Sequence, residues 1–300
     1  MQIIDIHTHG LNGLDTRSKA ASDILTIADN HGKQGVTGII LSIYPGPLRI
    51  MRQHIHTVRT AMKEQSSQDH SASIIGVHLE GPFLNPLRCG ALNAESFLLP
   101  DTKSLDQLID GFENIIKIIT VAPELPGAEH LIRHISDKGI IVSMGHSDAT
   151  YAEAQRGYHS GAKGITHLFN AMRGIHHREP GLAGFGLMHP EIYVEVIADP
   201  FHLNPQILEM IFRIKPPEKI IIISDSVRDA LTDSGDRGIR DDASTLQGGC
   251  MTIKDSAERL YKLGLNKEAV SKAISTNPLT YLGHLPFNNY GREILPSTTE

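Results

Sequence analysis

Only two cysteines, Cys89 and Cys250, occur in the 300 residues, too few and too far apart for a zinc knuckle or a disulfide framework. No apolar run reaches the roughly 18 to 20 residues needed to span a bilayer. The opening MQIIDIHTHG has neither the basic n-region nor the apolar h-region of an export signal, so the cytoplasm is the expected compartment. Basic charge is not in excess: 28 Lys and Arg stand against 34 Asp and Glu, a net charge of -6. That balance excludes the basic stripe of a nucleic-acid surface. No G-x-G-x-x-G follows the first apolar run, so a dinucleotide-binding half lacks its main sign. With no repeat, low-complexity tract or linker, residues 1–300 are expected to form one domain, with 284–300 a loosely structured tail.

Short β-branched runs are present instead, at Gln2–Ile6, Val36–Ile43, Ser73–Leu79 and Ile115–Val121. Four more follow at Ile140–Met144, Gly164–His167, Tyr193–Ala198 and Lys219–Ile223. Most are apolar at successive positions, as in strands buried on both faces of a parallel sheet. Amphipathic segments lie between them, at Leu48–Lys63, Gly127–Lys138, Tyr151–Ser160 and Pro205–Ile214. Asp148 and Asn204 are placed to cap the last two of these. After the eighth run come helical stretches at Lys254–Leu263 and Lys267–Ser275. Eight strands alternating with helices predict a (β/α)8 TIM barrel in the α/β class.

Histidine is abundant, with 17 copies, and several fall at strand ends. The first strand ends in His7-Thr8-His9, the third in His78-Leu79-Glu80, the fifth in Gly145-His146-Ser147. The sixth ends in Thr166-His167 and the eighth in Ser224-Asp225-Ser226. In a βα barrel these ends converge on one mouth, where catalytic groups sit, and i and i+2 side chains of a strand share a face. Imidazole and carboxylate suit Zn2+, Fe2+ or another borderline divalent ion, singly or as a bridged pair. Such a site generates hydroxide near neutral pH and polarises a carbonyl; Asp225 is placed to take the water's proton and return it to a leaving amine. His31, His54, His56, His70, His130, His134 and His159 fall in helices or loops and are read as solvated surface residues.

These stretches resemble the N-acetylglucosamine-6-phosphate deacetylases of the amidohydrolase superfamily, across roughly Ile3 to Gly283. The resemblance rests on Asp5-Ile6-His7-Thr8-His9-Gly10, Gly76-Val77-His78-Leu79-Glu80-Gly81-Pro82-Phe83 and Val121-Ala122-Pro123-Glu124. It continues through Gly145-His146-Ser147-Asp148-Ala149-Thr150, Thr166-His167-Leu168-Phe169-Asn170-Ala171-Met172 and His176-His177-Arg178-Glu179-Pro180-Gly181. It implies a hydrolase in which Glu80, His146 and His167 bind a principal metal and His7 and His9 offer a second site, with Asp225 as general base and acid. Other amidohydrolases use a carboxylated lysine after strand four; here that strand ends in Pro123-Glu124, and Glu80 takes the bridging place. The resemblance further implies that Asn170, Ala171 and Arg178 receive the substrate phosphate, Arg178 reaching into a neighbouring subunit of a homodimer. His202 matches a substrate-binding histidine. Leu246-Gln247-Gly248 and Gly90-Ala91 fall where the family's loops contact the sugar.

Three departures bear on substrate and assembly. Leu92 stands where the family has a sugar-contacting histidine, with Asn93 next to it. Pro200 and Phe201 replace the usual glycine before His202, so a reshaped loop is expected there; Arg228 near the mouth either favours an acidic substrate or faces solvent. The family's flanking β-sandwich, built from both chain ends, is not expected from these 300 residues. The expected activity is hydrolysis of an N-acetylated amino sugar phosphate. Another acylated amine, cyclic amide or ester is the alternative, and a non-catalytic sugar-phosphate-binding protein is a third.

Overall fold

A computed structural model describes residues 1–66, 71–232, 238–241 and 244–283; the expected loose tail at 284–300 lies outside them. Eight parallel strands form one sheet in chain order: β1 (Ile4–Thr8), β2 (Gly38–Ile43), β3 (Ser73–Leu79), β4 (Ile116–Val121), β5 (Ile141–Met144), β6 (Gly164–Ile165), β7 (Tyr193–Ile197) and β8 (Ile220–Ile223). The ring closes between its first and last strands. Asp225 N donates to His7 O at 2.9 Å, His9 N donates to Ser226 O at 2.7 Å, and Thr8 bridges Ser226 in parallel. Below that bridge, Asp5 completes the seam by accepting from Ser224 N and Oγ at 3.3 and 2.5 Å. Burial pushes its carboxyl up to about 6 against these hydrogen bonds.

The β-branched runs fill two layers. One set of strand residues, including Ile39, Leu41, Val77, Leu79, Val142, Val194 and Val196, packs outward in a common core with the helices. The alternate set, including Ile4, Ile6, Ile40, Ile118, Ile141, Ile197, Ile221 and Ile223, fills the barrel, as expected when both faces are covered.

Helices α1 (Ala21–Lys33), α2 (Leu48–Glu64), α3 (Thr102–Ile109), α4 (Ala128–Asp137), α5 (Tyr151–His159), α6 (Gly181–Met188) and α7 (Pro205–Ile214) separate the strands. Then α8 (Ile253–Lys262), α9 (Lys267–Ile274) and α10 (Thr276–Tyr281) follow β8. Asn204 caps α7 as expected, accepting from Gln206 N. Asp148 does not cap α5. Thr150 does so in a capping box with Glu153, and Asp148 instead pairs with Arg88 and Arg173. Helix α6, GLAGFGLM, is almost wholly buried; Lys215 Nζ donates to Gly186 O and His189 O at its C-terminal end, where cations are favoured.

Two histidines expected at the surface are core residues. His31 and His54 are buried, on the same stripes as Ile24, Ile27 and Ala28 of α1 and Met51, Ile55 and Val58 of α2. His31 Nε2 lies 3.1 Å from Thr8 Oγ1, and burial pushes its ring down to about 4. His56, His130 and His159 are exposed, and His134 is half-buried on Asp106. His70 lies outside the described residues. Cys89 and Cys250 are both free. Among the described residues no helix is long and apolar enough to cross a membrane.

The end of the barrel opposite the mouth is plugged by α10, whose Leu279 and Tyr281 join the interior cluster. A Cβ at Gly164 would overlap the Tyr281 hydroxyl, so the glycine makes room for the ring. Tyr281→Ala empties that space. It is expected to cost about 3 to 5 kcal/mol, seen as a lower urea midpoint at unchanged slope.

Candidate active site

Six strand-end side chains meet at the mouth. In β1 the register shifts between Asp5 and Thr8, and Ile6 and the residue after it both face the interior. Ile6 packs in the barrel cluster, while the His7 ring lies edge-on to His78 at 4.5 Å. His146, His167 and Asp225 each take a left-handed backbone, with φ of 46, 32 and 46°. Thr166 already points inward, bonding Thr120 and Ser143, so a regular strand would aim His167 outward. The left-handed turn re-aims it at the axis, the sparsely populated geometry that functional sites favour. Gly248 is required for a related reason: a Cβ there would overlap the Asp225 carbonyl.

Glu80 is the hub. Its Oε1 lies 3.2 Å from both His146 Nε2 and His167 Nε2 and 3.5 Å from His7 Nε2, while Oε2 lies 3.1 Å from His9 Nε2. Asp225 Oδ1 is 3.3 Å from His7 Nε2 and 3.6 Å from His9 Nε2. The groups His7-His9-Asp225 and Glu80-His146-His167 each hold their ligand atoms within 4.8 Å of one another. All six side chains are buried.

These residues fit a divalent cation. Imidazole nitrogens face each other at 3.3 Å (His7 with His9) and 3.1 Å (His146 with His167), where two bare lone pairs repel unless a proton or a cation lies between. The opposite nitrogens set the tautomer: His7 Nδ1 is 3.2 Å from Glu195 Oε2, and His146 Nδ1 is 2.9 Å from Arg88 O. That leaves Nε2 as the free lone pair, the usual arrangement of metal-bound histidine. Electrostatics agree. Burial alone would lower His7, but the charge of Asp225 and the hydrogen bonds of Glu195 and Glu80 raise it well above the usual imidazole range. Burial would raise Glu80, but the charge of His9 and hydrogen bonds from His146, His167 and His7 hold it well below the usual carboxylate range. The carboxylates thus demand positive charge among the rings.

Residues behind the six fix their aim. Glu195 is buried in the otherwise apolar β7; one acid inside such a run is the sequence signal that could have singled it out. Glu124 accepts from Asn85 Nδ2, Ser147 Oγ and Asp148 N. It thereby joins the loops after β3 and β5. His78, a strand-end histidine, lies lower. Its two nitrogens face Ser42 Oγ at 3.3 Å and Thr120 Oγ1 at 2.8 Å, in a buried chain continuing through Thr166 and Ser143.

Above the six opens a cavity of about 410 Å3. Gly90, Ala91, Asn170, Ala171, His202, Leu246, Gln247 and Gly248 all line it, as do Leu92 and Asn93. Arg17 and Tyr44, which the sequence did not single out, form part of its wall. Arg178 is exposed and is not among the lining residues; its Nη1 contacts His177 Nε2 at 2.7 Å. Arg228 is paired to Asp229 and borders an adjoining recess of about 300 Å3. Pro200 leaves His202 in place, because Asp199 accepts from Phe201 N, His202 N and His202 Nδ1 at 2.9 Å each. His202 Nε2 in turn holds Gln247 O at 2.8 Å.

An eight-stranded barrel with histidines and acids at its carboxyl ends is the arrangement of a metal-dependent hydrolase, and the chain belongs to the amidohydrolase family, which it matches over residues 3–278. Within it, the sequence is 34% identical over 252 residues to the N-acetylglucosamine-6-phosphate deacetylase of Bacillus subtilis (strain 168), covering 84% of this chain and 62% of that protein. It is 31% identical over 268 residues to the N-acetylgalactosamine-6-phosphate deacetylase of Escherichia coli O157:H7, covering 89% and 68%. Among solved structures, an aspartate-to-alanine mutant of N-acetyl-D-glucosamine-6-phosphate deacetylase from Mycobacterium smegmatis, in complex with N-acetyl-D-glucosamine-6-phosphate, matches with a TM-score of 0.87. The identity there is 27%, over 98% of this chain and 80% of that one. The chain spans about three fifths of the length of the Bacillus relative.

The Asp199–His202 pair sets a pH window. Burial would lower His202, but the hydrogen bond and charge of Asp199 outweigh it and raise the ring above its usual range. Burial would raise Asp199, but His202 and the backbone amides bring it to about 2. The acid's contribution is present above the ordinary carboxylate value and lost as pH falls towards about 2. That of the imidazolium is present below its ordinary value of about 6.5 and lost as pH rises through the raised one. The stability difference between wild type and Asp199→Asn is therefore expected to be largest between about pH 4 and 6.5 and to shrink above it. NMR titration should find the His202 pKa lowered in the variant.

Proposed function

We propose that this chain is a metal-dependent deacetylase that hydrolyses the amide of an N-acetylated amino sugar phosphate, N-acetylglucosamine 6-phosphate or a close relative, to amine and acetate. One observation carries the reading: four imidazole Nε2 atoms and two carboxylates converge on one point under a cavity whose wall holds Asn170, Ala171 and His202. The similarity to deacetylases of N-acetylglucosamine and N-acetylgalactosamine 6-phosphate supports the substrate class.

Glu80, His146 and His167 would hold one divalent ion and His7 and His9 a second, Zn2+ or Fe2+ being suited to these donors. When bound, the metal supplies Lewis acidity towards the acyl carbonyl and acidifies a water. Asp225 takes the proton as the water oxygen adds to the carbonyl carbon. It then delivers that proton to nitrogen as the C–N bond breaks, so that amine and acetate leave together. Glu195, through His7 Nδ1, keeps that imidazole's Nε2 lone pair aimed inward. His202 braces the 246–248 loop through the Gln247 carbonyl. Asn170 and Ala171 would receive the phosphate together with Arg178, whose paired donors suit phosphate oxygens. The exposure of Arg178 away from its own cavity supports its donation to a neighbouring subunit in a homodimer. The cytoplasm is the proposed compartment.

Leu92 in the cavity wall favours a second reading, in which the acylated amine is not this sugar. The test is metal content together with amine released from N-acetylglucosamine 6-phosphate. Turnover should stop with a chelator, and Asp225→Asn should lower kcat by about 10²- to 10⁴-fold. Metal without turnover would keep the hydrolase and discard the sugar. Arg178→Ala should raise KM with little change in kcat, and sedimentation equilibrium should find two chains per particle; a monomer with unchanged KM would exclude the shared site.

A further inference from the structure

His9 and His167 are the candidate ligands whose outer nitrogens, buried and without a hydrogen-bond partner, are not anchored as in His7 and His146. His7 Nδ1 has Glu195, and His146 Nδ1 has Arg88 O; His9 Nδ1 is buried with no hydrogen-bond partner. Its ring is gripped from one face instead. The Tyr44 ring stacks on it, with centroids 3.9 Å apart and planes 21° from parallel. On Tyr44, in turn, lies the Arg17 guanidinium, its Cζ 4.6 Å from the ring centroid. Arg17 is itself fixed to Asp15 through Nε and Nη2 at 2.9 and 2.7 Å. The loop carrying both is tied to the strands it covers: Thr16 N donates to His9 O at 2.9 Å, and Thr16 Oγ1 donates to Ser42 O at 2.8 Å.

From this we infer that Tyr44, clamped by Arg17, is a positioning residue that orients His9 for metal binding in place of the hydrogen bond the histidine lacks. The inference rests on the metal site proposed above. A ligating imidazole free to rotate loses rotamer entropy on binding, and groups that fix ligand orientation are typically worth 10- to 100-fold in metal affinity. Aromatic stacking restrains the ring tilt, and the cation over the outer face restrains Tyr44.

The experiment is titration of the metal-free protein with Zn2+, counting ions and affinities in wild type, Tyr44→Phe, Tyr44→Ala and Arg17→Met. Two ions are expected in the wild type. Tyr44→Ala should weaken one of them by about 10- to 100-fold and leave the other, at Glu80, His146 and His167, unchanged, which also reports an intact barrel. Tyr44→Phe should restore wild-type affinity, and Arg17→Met should fall between. Glu195→Gln, which disturbs the anchor of His7, serves as a reference for sensitivity. Two ions bound by Tyr44→Ala with wild-type affinities would overturn the role of Tyr44 alone. No uptake by the wild type would overturn the metal site and this inference with it, and a single ion at the Glu80 group would leave His9 nothing to hold.

Discussion

Burial of the Glu80 carboxylate among four imidazoles is the constraint on which the rest of the mouth depends. An uncompensated carboxylate at this depth costs several kcal/mol, and its oxygens can be satisfied only by donors or by a cation. The four Nε2 atoms lie within 3.1 to 3.5 Å of it, too close to each other to coexist as bare lone pairs. Each ring therefore has to be aimed and held in one tautomer. Much of the surrounding structure serves that purpose, from Glu195 behind His7 to the left-handed turns at His146 and His167.

The support is graded outward. Immediately beneath, the Ser42–His78–Thr120–Thr166–Ser143 chain keeps polar groups bonded inside the barrel, so the layer of six rests on a hydrogen-bonded floor. Beside it, Glu124 and Asp148 lock together the loops that carry Asn85, Arg88, Ser147 and Arg173. One product of that lock is the Arg88 carbonyl under His146. On the far rim, Asp199 and His202 hold the Gln247 backbone. The loops that carry Arg88, Arg173 and Gln247 are each pinned through a carboxylate.

Much of this was legible in the sequence, for physical reasons. Parallel strands buried on both faces are written as unbroken β-branched runs, so the eight strands stood out, and their last polar residues marked the mouth. Helix α6 did not stand out, because a helix buried all round has no amphipathic period to read. His31 and His54 could have been placed inside, since they continue the apolar stripes of α1 and α2. Thr150-x-x-Glu153, not Asp148, carries the capping-box signature. The Tyr44–His9 stack illustrates the limit. Which side chain backs a ligand depends on packing between strands far apart in sequence, and spacing along the chain does not encode it.

The seam joining β1 to β8 has a kinetic meaning as well. Thr8 meets Ser226 across 218 positions of sequence, so the ring is closed by one of the longest-range pairings in the chain, the kind that slows folding. At ribosomal rates of about 5 to 20 residues per second, Thr8 waits on the order of 10 to 40 s for its partner to be made. Until then β1 is an open edge, able to pair with other chains, and His7 and His9 face no Asp225. The cluster of six is complete only when the last strand docks, so a chain truncated before β8 would still carry His7, His9, Glu80, His146 and His167 but not Asp225.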